Sequence, residues 1–571
     1  MLTSLTIRNF KLFTDVEIDL GERVVFIGPN NSGKTSALQA LALWDVGAKR
    51  WLERRGSGNI PTERAGVTIN RKDLLAIPVP SANLLWRELR VREGERREGK
   101  SRTRNVRIEI GVAGSDDQQW HCRLEFDYAN EESIYCRPPL GPDNARMAVP
   151  AHLKHLQIAY LPPMSGLAAR EDRLEMGSIR VRLGEGRTAD VLRNLCWQVV
   201  QSENGDQKWQ EICEFIERLF GSRLLPPQYI AERGEITLNY RTPSGTMLDI
   251  SSSGRGEQQT LLLLAHMTVN TGAVLLLDEP DAHLEILRQR QIYDVLTRQA
   301  ERTKSQLIAA SHSEVVMNEA AQRDVVVAFV GRPHRIDDRG SQVLKALREI
   351  GFEHYYLAET IGWVLYLEGA TDLAILRAFA ERLNHQARTF LERPFVYYVA
   401  NQPRKAQEHF YALREAKPDL VGIAIYDRLE RVAPDDPNLR QHMWSRNELE
   451  NYLCQRETLL AFAASKGEEY EGALFAERWR DAMTQAIQDI EHALRLLGRD
   501  PWGSDIKASD DFLTPLFQRF FDILHRPNEM SKTNSHVLAA FVAPEAIDDE
   551  MRQALDAIGE VAQIARPRVD L

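Results

Sequence analysis

The chain interleaves short apolar runs with longer mixed segments, and the period of its hydrophobic positions changes along its length. Leu5-Thr-Ile7 and Val16-Glu-Ile-Asp-Leu20 put apolar residues at every second position, the spacing of half-buried strands on either side of a turn. Val24-Val-Phe-Ile27 is continuously apolar, as in a strand covered on both faces, and it runs straight into a glycine-rich loop. Ser36-Ala-Leu-Gln-Ala-Leu-Ala-Leu43 then has helical spacing and composition. Residues 86–149 alternate again, in segments such as Val106-Arg-Ile-Glu-Ile-Gly-Val112 and Cys122-Arg-Leu-Glu-Phe126, and read as a β-rich insertion. A helical stretch over 179–220 is followed by a strand pair around Ile236-Thr-Leu-Asn-Tyr240, and Val274-Leu-Leu-Leu277 and Gln306-Leu-Ile-Ala-Ala310 predict two more buried strands. Val364-Leu-Tyr-Leu367, Phe395-Val-Tyr-Tyr-Val399 and Val421-Gly-Ile-Ala-Ile425 form a second strand set, and the rest of the chain is helical in pattern. The alternation predicts an α/β fold: one sheet assembled from both ends of residues 1–345, a second α/β region over 355–460, and helices over 461–571.

Length supports that division, because 571 residues exceed what one ordinary core holds. No stretch of about twenty apolar residues exists to span a bilayer, and the N-terminus lacks a basic segment followed by an apolar one, so the expectation is a cytoplasmic protein without a membrane partner. Cys122, Cys136, Cys196, Cys213 and Cys454 are odd in number and never paired as C-x-x-C, which argues against a disulfide framework and a zinc site. A net charge of −10 disfavours coating of nucleic acid by the whole surface but leaves a local basic groove open. The basic stretch over 90–107, diluted by Glu93, Glu95 and Glu98, reads as a solvated hairpin tip.

Gly28-Pro-Asn-Asn-Ser-Gly-Lys34-Thr35 sits between a strand and a helix, the context a P-loop requires. Its glycines let backbone N–H groups turn toward phosphate, Lys34 reaches the β- and γ-phosphates, and Thr35 offers its hydroxyl to Mg²⁺. Gly28, Asn30, Asn31, Ser32, Gly33, Lys34, Thr35 and Ser36 are therefore the expected ATP-binding residues. Asp278-Glu279 after four apolar residues is the matching Walker B element, with Asp278 on the metal and Glu279 placed to polarise the attacking water. Ser251-Ser-Ser253-Gly254-Arg-Gly256-Glu257 precedes a helix and resembles the signature sequence of ABC-type ATPases, in which Ser253, Gly254, Gly256 and Glu257 would face a γ-phosphate at a helix N-terminus. His312, in Ser311-His312-Ser313, resembles the switch histidine, and Asp281 and His283 fit the D-loop position.

Glu368-Gly369 at the end of an apolar strand, with Thr371-Asp372 opening a helix, resembles the first motif of TOPRIM domains, and a second strand ends in Tyr426-Asp427. That chemistry converges carboxylates on one or two Mg²⁺ ions, with Mn²⁺ an alternative at this site. The usual Asp-x-Asp reads Asp427-Arg428-Leu429 here, with Glu430 one place later. Trp444-Ser-Arg446-Asn-Glu448-Leu-Glu450-Asn451-Tyr452-Leu453 resembles a segment of TOPRIM nucleases of phage defence, and on a helix only one of its two glutamates can easily face the site, Glu450 before Glu448. Glu368, Asp427 and Glu450 are thus the expected metal ligands. Resemblance to the late lysine of such nucleases gives Lys532 the role of stabilising a pentavalent phosphate. Asp510-Asp511 carries no assigned role.

The run over 1–344 resembles the ABC heads of structural-maintenance and recombination-repair ATPases, without their coiled-coil arm. Followed directly by a TOPRIM domain, the whole is similar to the OLD (overcoming lysogenization defect) family, which includes the nuclease subunit of the Gabija system, and to a fused form of the PARIS defence proteins. The resemblance implies an ATP-regulated, Mg²⁺-dependent endonuclease of antiphage defence. Its heads would close as a homodimer or a larger assembly, its substrate would be DNA or an RNA such as tRNA, and its trigger a phage-encoded protein. A second reading, favoured by Leu429, is an ATPase sensor or scaffold whose TOPRIM half does not cut.

Overall fold

The structure is a computed structural model that describes residues 1–56, 66–97, 100–116, 118–141, 145–321, 323–337, 350–429 and 436–568, with backbone alone over 95–97 and 100–103. The chain divides into two compact units, Met1–Leu344 and Lys345–Val569. Glu98, Glu430 and the junction between the units lie outside the described residues.

The first unit holds two main sheets. One is antiparallel, in the order Phe13–Asp19, Leu2–Phe10, Ile108–Ser115, Gln119–Asn130, Ser133–Arg137, Val67–Asn70. Within the stretch 86–149, Ile108–Ser115, Gln119–Asn130 and Ser133–Arg137 pair with one another in succession, and Val67–Asn70 pairs with the last of them. Ile108–Ser115 pairs with the N-terminal strand, Leu5 opposite Val112 and Ile7 opposite Ile110, because both strands carry their apolar residues on the same face. The segments Arg92–Arg97 and Lys100–Asn105 form a hairpin of their own. The helix Lys34–Arg55 lies on the sheet's apolar face, burying Trp44 and Trp51 among Leu124, Phe126 and Ile134.

The other sheet runs Ile158–Leu161, Val274–Asp278, Gln306–Ser311, Arg23–Ile27, Val325–Ala328, His334–Arg335, and all of it is parallel except the last strand. Successive residues of a strand point to opposite faces. Leu276, Ile308 and Ala310 accordingly enter the core beneath the helix Lys34–Arg55, whereas Leu275, Leu277, Leu307 and Ala309 enter a second core with the helix Arg255–Val269. Two covered faces explain why these strands read as unbroken apolar runs. The carboxyl ends of Arg23–Ile27, Gln306–Ser311 and Val274–Asp278 lie side by side, which brings three distant loops to one edge.

The second unit is built on a four-stranded, all-parallel sheet in the order Val396–Tyr398, Trp363–Leu367, Val421–Tyr426, Leu439–Met443. Trp363, Leu365, Leu367, Ile423 and Ile425 point into a core shared with the helices Ala370–Arg382, Arg456–Glu471, Ala476–Leu496 and Asp549–Ile564. Val364, Tyr366, Ala424 and Tyr426 face the helix Pro403–Ala416 on the opposite side. The C-terminal helices thus extend the core of the sheet instead of forming one of their own. Two adjacent central strands, Trp363–Leu367 and Val421–Tyr426, continue toward opposite edges of the sheet. In open parallel sheets such a switch point leaves a crevice beyond the strand ends, the usual place for a ligand.

Candidate functional site

In the first unit the P-loop leaves the strand Arg23–Ile27 and enters the helix Lys34–Arg55. Gly28 has no room for a side chain, since a Cβ there would lie 2.8 Å from the Phe329 carbonyl oxygen and 2.9 Å from Ser32 Oγ. Gly33 adopts φ 101°, a left-handed conformation that glycine takes without strain. Lys34 folds over the loop and donates to the carbonyls of Gly28 and Pro29, both at 2.7 Å, and burial lowers its pKa against the pull of Glu279, Asp278 and Asp281. Ser32 Oγ is buried without a hydrogen-bond partner. Asn30, Asn31 and Thr35 are exposed, and Ser36 is half-buried at the start of the helix.

The Thr35 hydroxyl donates to Asp278 Oδ1 at 3.0 Å, and the Tyr160 hydroxyl donates to Asp278 Oδ2 at 3.2 Å. Burial pushes the Asp278 carboxyl up to about 6, with Thr35 and Tyr160 opposing it. Glu279 has φ 50°, a left-handed backbone that costs a non-glycine residue about 1–3 kcal/mol. Its N–H is tied to the Ala310 carbonyl at 2.9 Å, and its Oε1 lies 3.6 Å from His312 Nδ1. Glu279 and His312 therefore meet at the ends of adjacent strands, beside the Thr35–Asp278 pair. An unpartnered serine hydroxyl inside a cradle too tight for a Cβ, with a hydroxyl and a carboxylate side by side, suits a phosphate and its Mg²⁺.

Ser253, Gly254, Gly256 and Glu257 lie elsewhere on this unit, at the start of the helix Arg255–Val269. Ser253 Oγ donates to the Ile250 carbonyl at 2.9 Å, Gly256 packs against Leu284, and the buried Glu257 accepts from Ser222 Oγ at 3.4 Å. Among the described residues none of the four hydrogen-bonds the P-loop of its own chain. Burial raises the Glu257 pKa, and its Oε1 has no partner.

In the second unit Glu368 follows the strand Trp363–Leu367 and Asp427 follows the neighbouring strand Val421–Tyr426, so both carboxylates sit at the switch point. Burial raises the Asp427 pKa well above the usual carboxylate range. Glu368, close enough to share a proton with it, adds to the rise, followed by Asp372 and Glu450. Asp372 accepts from the backbone N–H of Glu368 at 2.9 Å and of Gly369 at 3.1 Å, and burial, reinforced by Glu368, pushes it up to about 6. Glu450 is pushed up to about 7 by burial, then by Glu448 and Asp372, with Lys532 opposing.

The segment carrying the two glutamates is not a continuous helix. Glu448 is extended and caps a short 3₁₀ turn, Leu449–Tyr452, whose first N–H donates to Asp427 Oδ1 at 3.2 Å. Both glutamates are buried, but Glu450 is the one whose charge is felt by Asp427, while Glu448 accepts from the backbone N–H of Ser509. Lys532 Nζ pairs with Asp510 Oδ1 at 2.8 Å, and Lys507 pairs with Asp510 Oδ2 at 2.7 Å. Leu429 packs against the apolar core behind the sheet, and its N–H approaches Met443 Sδ at 3.3 Å. The four mutually repelling carboxyls Glu368, Asp372, Asp427 and Glu450 are the hard oxygen donors that a divalent cation takes. Among the described residues, however, no three of the His, Cys, Asp and Glu side chains are arranged as a ready-made ligand group.

Tyr160 and Lys507 join these sites without having been singled out, Asp510 joins them although it was noted without a role, and Asp372 joins the carboxylates although only its motif was noted. Tyr160 is the penultimate residue of the strand Ile158–Leu161, whose place beside Val274–Asp278 no local pattern reveals. Asp372 was within reach, being an acid in the first turn of a helix that directly follows Glu368.

Residues 1–46 match the family described as "AAA ATPase domain", and residues 232–318 match the one described as "AAA domain, putative AbiEii toxin, Type IV TA system". The first segment carries the P-loop and the second carries Asp278, Glu279 and His312, so the two matches support an ATPase-like domain in the first unit. No curated protein matches the chain. Among solved structures, the chain is similar to an Smc head bound to the C-terminal winged-helix domain of ScpA, at 15% identity and TM-score 0.36, covering 59% of this chain and 97% of that one. An SMC head domain from Thermotoga maritima is similar at 16% identity and TM-score 0.30, covering 59% and 98%. A Pyrococcus furiosus Smc head domain bound to the C-terminal domain of ScpA is similar at 13% identity and TM-score 0.35, covering 61% and 99%. Among the described residues no helix is long and apolar enough to cross a membrane.

Proposed function

We propose that this chain is an ATP-regulated, metal-dependent nuclease of the TOPRIM type, in which an ABC-like ATPase head governs phosphodiester cleavage in the second unit. The observation that carries the reading is the placement of Glu368 and Asp427 at the switch point of an all-parallel sheet, with Asp372, Glu450 and Lys532 gathered around them. Two copies close head to head, each offering Ser253, Gly254 and the N-terminus of the helix Arg255–Val269 to the other's ATP. Among the described residues this segment makes no hydrogen bond to its own P-loop, which leaves it available for that arrangement. Lys34 and the loop N–H groups would hold the triphosphate, Thr35 and Asp278 would hold Mg²⁺, and Glu279, steadied by His312, would orient the attacking water.

In the second unit Glu368, Asp427 and Glu450 would hold Mg²⁺ or Mn²⁺, which when bound activates a nucleophile and stabilises the leaving oxygen. Asp372 keeps Glu368 in place by accepting two backbone N–H bonds across the strand end. Lys532, held beside the carboxylates by Asp510, places positive charge where a scissile phosphate would enter. The substrate is a nucleic acid, DNA or RNA, and antiphage defence is the setting that the OLD resemblance supplies. A second reading retains the ATPase and makes the second unit a non-cutting scaffold; it is favoured by Leu429, a half-buried apolar residue packed against the core where a carboxylate would be expected.

The test is to trigger wild type and Glu368→Ala in cells and sequence the broken nucleic acid. Breaks dependent on Glu368 support the nuclease. If purified protein with Mg²⁺ or Mn²⁺ cuts neither DNA nor RNA in any nucleotide state while ATP hydrolysis continues, the scaffold reading stands instead.

A further inference from the structure

A cavity of about 560 Å³ opens in the first unit on the flank of the helix Lys34–Arg55, away from the P-loop. Its size falls in the range of small-molecule sites. Among its lining residues is His266, on the helix Arg255–Val269, 2% exposed and, among the described residues, with no well-formed hydrogen bond to either ring nitrogen. Burial pushes this imidazole down to about 4, an effect the nearby Ala159 carbonyl only partly offsets, so it is neutral at pH 7 and offers one donor and one acceptor. A buried polar ring without a well-formed hydrogen bond in the lining of a cavity calls for a partner that carries complementary groups.

The rest of the lining narrows the partner's chemistry. Leu75, Ile179 and Leu183 provide apolar walls. Lys154 and Arg180 stand exposed at the rim and make no ion pair among the described residues, whereas Lys49 is engaged by Asp45 at 2.7 Å. The fitting molecule is flat and apolar through its body, has a donor–acceptor edge at one end and carries an anion at the other. A bare phosphate would leave the His266 ring without a partner of complementary shape, and an uncharged apolar ligand would leave both cations unused.

We propose that this cavity binds a nucleoside monophosphate, distinct from the P-loop nucleotide, and that its occupancy is felt by the ATPase through Tyr160. The base edge meets His266, the base lies between the apolar walls, and the phosphate meets Lys154 and Arg180. Tyr160 lines the same cavity and donates its hydroxyl to Asp278, so an occupant that shifts this ring alters the hydrogen bonding of the carboxylate assigned to Mg²⁺. The proposal holds whether or not the second unit cuts nucleic acid.

Calorimetric titration of full-length Lys34→Ala protein, which removes the P-loop contribution, tests it with AMP, GMP, CMP and UMP added singly. At least one should bind once per chain, and His266→Leu and Arg180→Glu, each added to Lys34→Ala, should weaken it at least about tenfold. With Lys34 intact, the same nucleotide should change the rate of ATP hydrolysis at least about twofold, and His266→Leu should remove that response. Arg180 is exposed, so its variant keeps the test valid should the core change at His266 disturb folding. The site is overturned if none of the four binds at millimolar concentration, or if binding survives both substitutions. The coupling is overturned if binding leaves hydrolysis unchanged.

Discussion

The two candidate sites satisfy their polar groups in opposite ways. Around Asp278 the partners are complementary: two hydroxyls donate to one carboxylate, and a lysine covers the carbonyls of its own loop. Around Asp427 the neighbours are other acids, and the rise in its pKa comes from burial and from Glu368, Asp372 and Glu450 acting together. A site of the first kind is organised by its own chain before any ligand arrives. A site of the second kind holds electrostatic free energy that a proton or a cation must relieve.

The largest effects should separate the units completely. Lys34→Ala removes the only lysine of the P-loop and should lower ATP hydrolysis by about a hundredfold or more, measured by phosphate release, without changing the unfolding transition of the second unit. Glu368→Ala should abolish metal-dependent cleavage and leave ATP hydrolysis at the wild-type rate; loss of both activities would show that the two sites are not separable. Glu279→Gln should keep ATP bound, as read by nucleotide retention on a desalting column, while slowing hydrolysis by about 10²-fold.

A smaller effect bears on the stored repulsion. Asp372 and Glu450 have folded pKa values raised to about 6 and about 7, so between the ordinary carboxylate range and these values the folded chain holds protons that the unfolded chain has lost. In a chelator-containing buffer the stability of the second unit should therefore fall as pH rises from about 4 to about 7, each pKa unit corresponding to about 1.4 kcal/mol. Glu450→Gln should flatten that slope, and so should Mg²⁺; urea melts across the pH range measure both. A slope that is unchanged in Glu450→Gln would remove the repulsion from the comparison. The smallest effect belongs to Tyr160→Phe, which deletes one hydrogen bond to Asp278 and should slow ATP hydrolysis by about fivefold, as expected for about 1 kcal/mol.

The same contrast governs what could be read from sequence. The P-loop, Asp278-Glu279 and Ser311-His312 are local patterns attached to strands whose apolar runs are unmistakable, and the two family matches fall on those segments. Tyr160 belongs to the same site but enters it only through sheet order, because Ile158–Leu161 pairs with a strand more than a hundred residues away. For the stretch 86–149, alternation identified strands but not their partners, and so it concealed their pairing with the N-terminal strand. In the second unit Glu368 and Asp427 were visible at strand ends. Lys507 was not, and Asp510 was noted without a role, because both lie in a helical tail whose own pattern reports only its packing against the core.

The bond from the Leu449 N–H to Asp427 Oδ1 gives Asp427 two jobs that an ordinary truncation would confuse. It is a prospective ligand, and it is also the peg on which the turn bearing Glu448 and Glu450 hangs. Asp427→Ala would unhook that turn and displace two further acids, so the damage would spread beyond the missing carboxylate. Asp427→Asn retains an oxygen for the Leu449 N–H and replaces the other with an amide nitrogen that cannot carry the charge. For this position, then, the amide variant isolates chemistry and the alanine variant measures architecture.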